Sequence, residues 1–435
     1  MAVTGALRRP VLAIVHGEGS VSAMALAAAA KPVADVVWVV DTGEPQVTPM
    51  LRLFRRLGTT VDVAGLSDDE AAEALRPWRP DGVVAYADRQ IPVAAALGAR
   101  LGLGYHDEAT AKRLVDKLAQ RDALRAAGLD VPACVALAAH PGPGDLDEVV
   151  GAVSFPAVLK PRAGAGSRDT VLVHDRAELE DALERAVPAG AGDAAAGAGD
   201  ERTMVVEEYI PGFVAPDAGG GAGVEIADYV SVESVVCAGH ISHAAVTGRF
   251  PPAEPFRESG FFIPSTLSVS QTAGVVDEAE AAITALGVHT GFLHTEIKLT
   301  PAGPRLIEVN GRLGGGVPEM LQLASGVDLF ELSARLAVGE RVGFDHPVRN
   351  ERVAYLLYVQ APQWARRLEG IDGLDVLEAH PGVDTIVLNR RPGDALDWRE
   401  GNHGHVFSVL GTVPDHEALP SLRRIVEHKV TMRYA

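Results

Sequence analysis

Glu296, Glu308 and Asn310 are the residues best placed to do chemistry. They lie in His294-Thr-Glu-Ile-Lys-Leu-Thr300 and Pro304-Arg-Leu-Ile-Glu-Val-Asn310, on either side of Pro301-Ala302-Gly303. A Pro/Gly turn between two alternating runs predicts a β-hairpin. With the turn centred on Ala302, Glu296 faces Glu308 and His294 faces Asn310. Side chains two apart share a face, so Glu308 and Asn310 point the same way, and Ile297, Leu299, Ile307 and Val309 form the core face. Two carboxylates directly opposite, about 5 Å apart at Cβ, repel unless positive charge sits between them. Two carboxylates and an amide oxygen are hard ligands that suit Mg2+. A solvated carboxylate face would carry the same residues. Arg312 and Gly314-Gly315-Gly316 follow at once, a cation and bare backbone, and they favour the metal. His294 is expected to pack or hydrogen-bond beside the site rather than to ligate.

A second group is cationic. Lys160 ends the strand Ala157-Val-Leu and precedes Pro161-Arg-Ala-Gly164-Ala-Gly166-Ser167-Arg168. Backbone N–H groups of such a loop can close over phosphates, with Lys160 and Arg168 adding charge. No Gly-Lys-Ser/Thr is present, so this is not a Walker loop. A lysine ending a strand is ordinarily solvated, and Lys117, on a predicted helix Leu114–Leu124, has the same plain reading by itself.

These residues need elements to position them. Strand candidates Val11–Val15, Val36–Val40, Val61–Ala64 and Gly82–Tyr86 alternate with helical stretches over residues 1–112, which predicts a parallel sheet covered by helices. Gly17-Glu18-Gly19-Ser20 is a partial dinucleotide fingerprint, with Ser22 in place of a third glycine, and reads as a tight strand-to-helix turn. Residues 113–208 read as a small α+β lid. A helix from Lys112 to Ala127 stops at Gly128, the Lys160 strand and loop follow, and then come Thr170–Val173, a helix Ala177–Ala186 and a strand Thr203–Glu207. Residues 209–345 carry long strands at Tyr229–Val236 and His240–Val246, a helix Gly274–Ala285 and the hairpin. Residues 346–435 read as a small appended α+β domain with strands Val353–Val359, Thr385–Leu388 and His405–Leu410 and a terminal helix. The Gly/Ala-rich tracts Pro188–Asp200 and Ala218–Gly223 read as surface loops.

Four stretches in order resemble the ATP-grasp superfamily over about residues 10 to 345. They are Val115-Asp116-Lys117 with its helix, Phe155-Pro-Ala-Val-Leu-Lys160-Pro161 with its glycine loop, Val205-Val-Glu207-Glu208-Tyr209-Ile210-Pro211-Gly212, and the hairpin ending Glu308-Val309-Asn310-Gly311-Arg312. The resemblance implies an α/β protein of ATP-grasp fold. Its parts would be an N-terminal Rossmann-like parallel-sheet domain, an α+β lid, a central antiparallel-sheet domain and a small C-terminal extension. It implies ATP between lid and central domain, with Lys117 and Lys160 on the phosphates beside Gly164, Gly166 and Ser167. Glu207 and the backbone of Glu208 and Ile210 would meet the adenine. Glu296, Glu308 and Asn310 would hold one or two Mg2+, or Mn2+, and Arg312 would face the reacting centre.

Within that superfamily the chain looks most like the L-amino acid ligases, which make dipeptides. Asp228-Tyr-Val-Ser-Val-Glu233 followed by Gly239-His240 is similar to their central sheet. Arg257-Glu258-Ser-Gly-Phe261 resembles a turn near the substrate, where Glu258 would meet an ammonium and serve as base. Pro392-Gly-Asp394 and Gly401-Asn-His-Gly-His405 fall in an appended domain of matching length, and that His pair reads as a turn rather than a metal site. The implied function is an ATP-dependent carboxylate–amine ligase that works through an acyl-phosphate and releases ADP and phosphate. Bare glycines beside Arg312 predict an acyl pocket that accepts more than the smallest side chains. The rival expectations are an ATP-grasp carboxylase or transformylase using bicarbonate or formate, and an ATP-binding regulator without catalysis.

Composition narrows the partners. Acidic residues outnumber basic ones by 58 to 39, a formal charge of −19 that repels nucleic acid. No apolar run approaches the roughly 20 residues of a membrane span. Cys134 and Cys237 are too few for a disulfide scaffold. A cytoplasmic enzyme acting on small carboxylate and amine substrates, amino acids by the resemblance, is expected, and a homodimer would be unsurprising.

Overall fold

Strands β1 (Val11–His16), β2 (Asp35–Val40), β3 (Thr59–Asp62) and β4 (Gly82–Ala85) pair in parallel in the order β3-β2-β1-β4. The computed structural model describes residues 8–19, 21–138, 141–185, 203–213 and 225–435. Both predicted surface tracts, 188–200 and 218–223, lie outside these residues. Both faces of the first sheet are covered, as the near-continuous apolar strands require. Ala13 and Val15 pack with Ala72 and Leu97 of the helices Asp68–Leu75 and Ile91–Leu101. Leu12 and Ile14 pack instead with Leu321 and Phe330, from helices Val317–Ser325 and Leu329–Ala337 much later in the chain. The first and third segments therefore share one core.

The lid is a four-stranded antiparallel sheet in the order β5-β8-β6-β7, formed by β5 (Cys134–Leu137), β6 (Ala157–Pro161), β7 (Val171–Val173) and β8 (Met204–Glu208). The helices Pro143–Ala152 and Arg176–Arg185 bury Leu146, Val149, Leu179 and Leu183 against it. The third segment supplies β9 (Tyr229–Cys237), β10 (His240–Arg249), β11 (Gly260–Ile263), β12 (Gly291–Thr300) and β13 (Gly303–Asn310). The last supplies β14 (Val353–Val359), β15 (Leu368–Asp372), β16 (Val383–Leu388), β17 (Phe407–Val413) and β18 (Thr431–Tyr434). Three of those late strands extend the central sheet, which runs β13-β12-β9-β10-β11-β14-β17-β16 with every neighbour antiparallel. The remaining pair, β15 and β18, forms a ribbon, and the helix Leu419–Lys429 buries Leu422 and Val426 in a core with Phe407 and Val409. Among the described residues no helix is long and apolar enough to cross a membrane.

The sequence predicts one helix from Lys112 to Ala127, and the chain instead forms two, Glu108–Val115 and Lys117–Ala126. The break falls at Asp116, whose backbone is extended at φ −105° and ψ 108°. Its carboxylate caps the second helix by accepting from the N–H groups of Leu118 and Ala119. The same group pairs with Arg162 of the glycine loop at 2.7 and 2.8 Å. Asp116 therefore starts the helix and ties its first residue, Lys117, to the lid. Breaking one side of a buried pair costs roughly 3–5 kcal/mol. Asp116→Ala is expected to lose about that much in urea denaturation of the full chain, whereas Asp122→Ala, on the exposed face of the same helix, should lie within about 0.5 kcal/mol of wild type.

Candidate functional site

The period of two along β9, β12 and β13 sorts the central sheet into an apolar and a charged face. Val230, Val232, Val236, Leu293, Ile297, Leu306 and Val309 pack beneath the helix Val269–Leu286. On the other side stand Ser231, Glu233, His294, Glu296, Glu308 and Asn310. The ladder pairs Glu296 with Glu308 and His294 with Asn310, as the sequence pattern requires. Beyond Glu296 the register slips, so that Ile297 faces Leu306 and Lys298 faces Arg305. Leu306, fully buried, takes the core place expected of Ile307, which is the extra residue of a β-bulge. Its freed carbonyl accepts from Arg121. Two residues on, Gln120 exchanges two 2.9 Å hydrogen bonds with the Val309 backbone. The helix that begins at Lys117 thus clamps the metal-binding candidate strand.

Lys117 stands between the two sequence motifs. Its Nζ donates to the Gly164 carbonyl at 2.8 Å and lies 3.3 Å from Glu308. Lys160 pairs with Glu207, and Arg121 binds the same carboxylate. Burial alone would raise the Glu207 carboxyl, but Arg121 and Lys160 hold it at about 2. Because Arg121 also satisfies Glu207, Lys160 can share its charge with a phosphate without stranding a buried carboxylate. Arg121 was not singled out in the sequence. The available signal is the spacing Lys117, Gln120, Arg121, Leu124, which puts charged and polar groups on the buried face of an amphipathic helix. Gly164, Gly166 and Ser167 all adopt positive φ, at 116°, 74° and 56°, in the loop above Lys117. Glu208 donates its N–H to the Ala133 carbonyl, and Ile210 is buried just beyond it.

His294 bonds Glu233 through Nδ1 at 2.9 and 3.0 Å, and its Nε2 lies 3.4 Å from Glu296 and 3.1 Å from Arg249. Burial disfavours the imidazolium, yet Glu233 and Glu296 lift its pKa from 6.5 to about 9. Glu258 is paired with Arg249 and receives 2.7 Å from Asn402 Nδ2. Burial pushes this carboxyl above the usual carboxylate range, while Arg249 and Arg312 oppose the rise and Glu296 adds to it. Glu296 goes the other way, held down against burial by His294, Arg249 and Arg312. Of these two carboxyls, Glu258 is therefore the one that holds a proton more readily. Arg249, also absent from the sequence candidates, is fully buried with its guanidinium 4.7 Å from the Phe261 ring.

Arg312 reaches back to the first sheet. Its Nε and Nη2 both lie 2.9 Å from Asp88 Oδ2. Asp88 follows β4, beside the turn after β1, at the carboxyl end of the strands where a doubly wound sheet opens its crevice. Two of the glycines after Arg312 are demanded by packing. A Cβ on Gly314 would strike His294, and one on Gly316, which has φ 75°, would strike Leu356. Close packing below the site requires them bare.

The donor set fits a divalent cation. Two carboxylates face each other on one sheet face, and Asn310 donates Nδ2 to the His294 carbonyl, which leaves its side-chain oxygen as the available ligand. Among the described residues no group of three or more His, Cys, Asp or Glu gathers as a metal centre. A site of two carboxylates and one amide suits Mg2+, which keeps waters and substrate phosphates in its shell. His403 and His405 lie on a turn, where His405 Nδ1 bonds the Asn402 carbonyl.

Parallel sheet, antiparallel lid and long antiparallel central sheet, with the candidate nucleotide and metal residues at their junction, together define the ATP-grasp fold. No family model matches the chain. The fold agrees with the crystal structure of an L-amino acid ligase from Bacillus licheniformis at a TM-score of 0.79 and 21% identity, over 98% of this chain and 100% of that one. In sequence the chain is 29% identical over 380 residues to the uncharacterized protein y4rH of Sinorhizobium fredii, covering 86% of this chain and 69% of that protein. It is also 30% identical over 287 residues to carnosine synthase 1 of Gallus gallus, covering 62% of this chain but only 29% of that longer protein.

The charge on His294 yields a test. A folded-state pKa near 9 against 6.5 unfolded contributes stability that is complete below about pH 6.5 and lost as pH rises through 9. At 1.36 kcal/mol per unit this is about 3 kcal/mol. Without added divalent cation, the stability gap between wild type and His294→Gln should be widest near pH 6 and should shrink by about that amount by pH 9.5. A gap that is flat with pH would mean the imidazole is neutral.

Proposed function

We propose that the protein is an ATP-dependent carboxylate–amine ligase that forms an amide bond, with an amino acid as at least one substrate. The observation that carries this reading is the convergence on one sheet face of an opposed acid pair, a lysine that touches both that pair and the glycine loop, an arginine fixed from behind, and a buried carboxyl poised to hold a proton. ATP binding alone does not require the last two.

In the proposed reaction a carboxylate oxygen of the acid attacks the γ-phosphorus of ATP. The bond from that phosphorus to the β-phosphate oxygen breaks, giving an acyl-phosphate and ADP. The amine nitrogen then attacks the acyl carbon, the carbon–oxygen bond to phosphate breaks, and the nitrogen loses a proton. Positioning and charge neutralisation supply most of the acceleration. Lys117 and Lys160 bind phosphate oxygens, and the loop at Gly164, Gly166 and Ser167 covers them. Glu207, Glu208 and Ile210 border the adenine. Glu296, Glu308 and Asn310 would hold Mg2+, which neutralises charge between carboxylate and phosphate. Arg312, held by Asp88, stabilises the oxyanion of the tetrahedral intermediate. Glu258 takes the substrate ammonium and receives its proton, a role suited to a carboxyl that burial has raised. The lid excludes water that would hydrolyse the acyl-phosphate.

Phosphate release from Mg·ATP across L-amino acids, singly and in pairs, tests this directly. Release should depend on particular acids, vanish in Glu308→Ala, and fall about 100-fold in kcat for Arg312→Lys. Mass spectrometry of active wells should show an amide. Turnover with bicarbonate or formate and with no amino acid would replace the acid substrate, and Mg·ATP binding with no turnover on any acid would remove the enzyme reading.

A further inference from the structure

The turn 398–404 belongs to the last segment of the chain, yet it lies against both halves of the candidate site. Asn402 donates Nδ2 to Glu258 Oε2 at 2.7 Å, and its Oδ1 accepts from the Glu258 N–H, also at 2.7 Å. Both bonds cross a separation of 144 residues. The Asn402 backbone N–H meanwhile donates to the Gly166 carbonyl at 2.7 Å. One residue thus touches the carboxyl on the substrate side and the loop on the phosphate side. Neighbours strengthen the second contact. Asp169 donates its N–H to the Arg399 carbonyl at 3.0 Å, and Gly401, at φ 62°, lies so close to Gly166 and Ser167 that a Cβ would strike their backbone.

The turn is braced from its own side. Asn389 Nδ2 donates to the carbonyls of His403 and His405 at 2.8 and 3.0 Å, Arg390 pairs with Glu400, and His405 Nδ1 bonds the Asn402 carbonyl at 2.7 Å. Asn402 therefore presents its amide from a fixed support. Glu258 has Arg249 on one oxygen and Asn402 on the other. Arg249 fixes only the first of these oxygens. The planar Asn402 amide, which accepts from the backbone and donates to the side chain of the same residue, fixes the second relative to the main chain.

We propose that Asn402 is a positioning residue that sets the orientation of the Glu258 carboxyl and transmits to it the position of the glycine loop. The proposal rests on the reading of Glu258 as the group that meets the substrate ammonium. On it, closure of the loop over phosphates and capture of the amino acid are coupled through the last segment of the chain. Asn402 need not touch either substrate.

The test uses the full chain with Asn402→Ala and Asn402→Asp. The Asp side chain can still accept from the Glu258 N–H but cannot donate to its carboxylate. Amide exchange at Glu258 should be about tenfold faster in Asn402→Ala and near wild type in Asn402→Asp. In wild type it should slow further on adding Mg2+ with a β,γ-imido analogue of ATP, and that response should be absent in Asn402→Ala. With the amino acids that support turnover, KM for the amino acid should rise about tenfold in both variants while KM for ATP stays within about twofold. A purely structural role predicts that Asp, which keeps the backbone bond, restores KM, and this outcome would overturn the proposal. Unchanged exchange in Asn402→Ala would overturn it as well. If no amino acid supports turnover by wild type, the ligase reading has failed. The exchange measurements then decide on their own whether Asn402 holds Glu258 and reports the loop.

Discussion

Like charges facing each other across a β-ladder cannot stand alone in a half-buried site. Glu296 opposite Glu308 is the constraint around which the surrounding structure is arranged. Each nearby cation answers part of it from a different part of the chain. Lys117 comes from the start of a helix, His294 from the same strand as Glu296, Arg249 from β10 two strands away, and Arg312 from just past the hairpin. On the proposed function a divalent cation would complete this neutralisation and bring a polyphosphate to a chain whose overall charge would repel one.

The same electrostatics divides labour between carboxyls. Glu207 and Glu296 have charged partners at contact distance that hold them below the usual carboxylate range against burial, and Glu233 bonds the His294 imidazole. Glu258 is the exception, because burial outweighs its partners and the field of Glu296 adds to burial. A single sheet face therefore carries both acids that hold positive charge in place and an acid able to exchange a proton, without any change in residue type.

Much of this was legible in the sequence, for local reasons. The Pro-Ala-Gly turn and the alternation on either side are enough to oppose Glu296 and Glu308 and to set Asn310 beside them. Apolar runs broken by amphipathic stretches are enough for the parallel sheet. What was hidden depends on contacts distant in sequence. The helix break at Asp116 needs no glycine or proline, since Arg162 of the lid stabilises it. The bulge at Ile307 needs Arg121, on a helix 186 residues earlier. Asp88 lies in a short turn after β4 that nothing local marks, and Asn402 lies in the Gly-Asn-His-Gly-His stretch that read only as a turn; their roles come from the fold, which brings them to Arg312 and Glu258. The continuation of the central sheet into β14, β17 and β16 was hidden for the same reason, since strand order is set by pairing across the chain.

Arg312 has a further significance for how such a protein can change over time. Its counter-ion, Asp88, follows the last strand of the first sheet, and the first and third segments share a core through Leu12, Ile14, Leu321 and Phe330. The N-terminal domain is therefore no interchangeable module. Recombination that replaced it with another parallel-sheet domain would have to bring an acid at the matching loop as well as a matching apolar surface. A lineage that kept the surface but lost the acid would retain the architecture with an arginine free to turn away. A change on either side of this ion pair therefore has a consequence on the other, as does a change in the shared core.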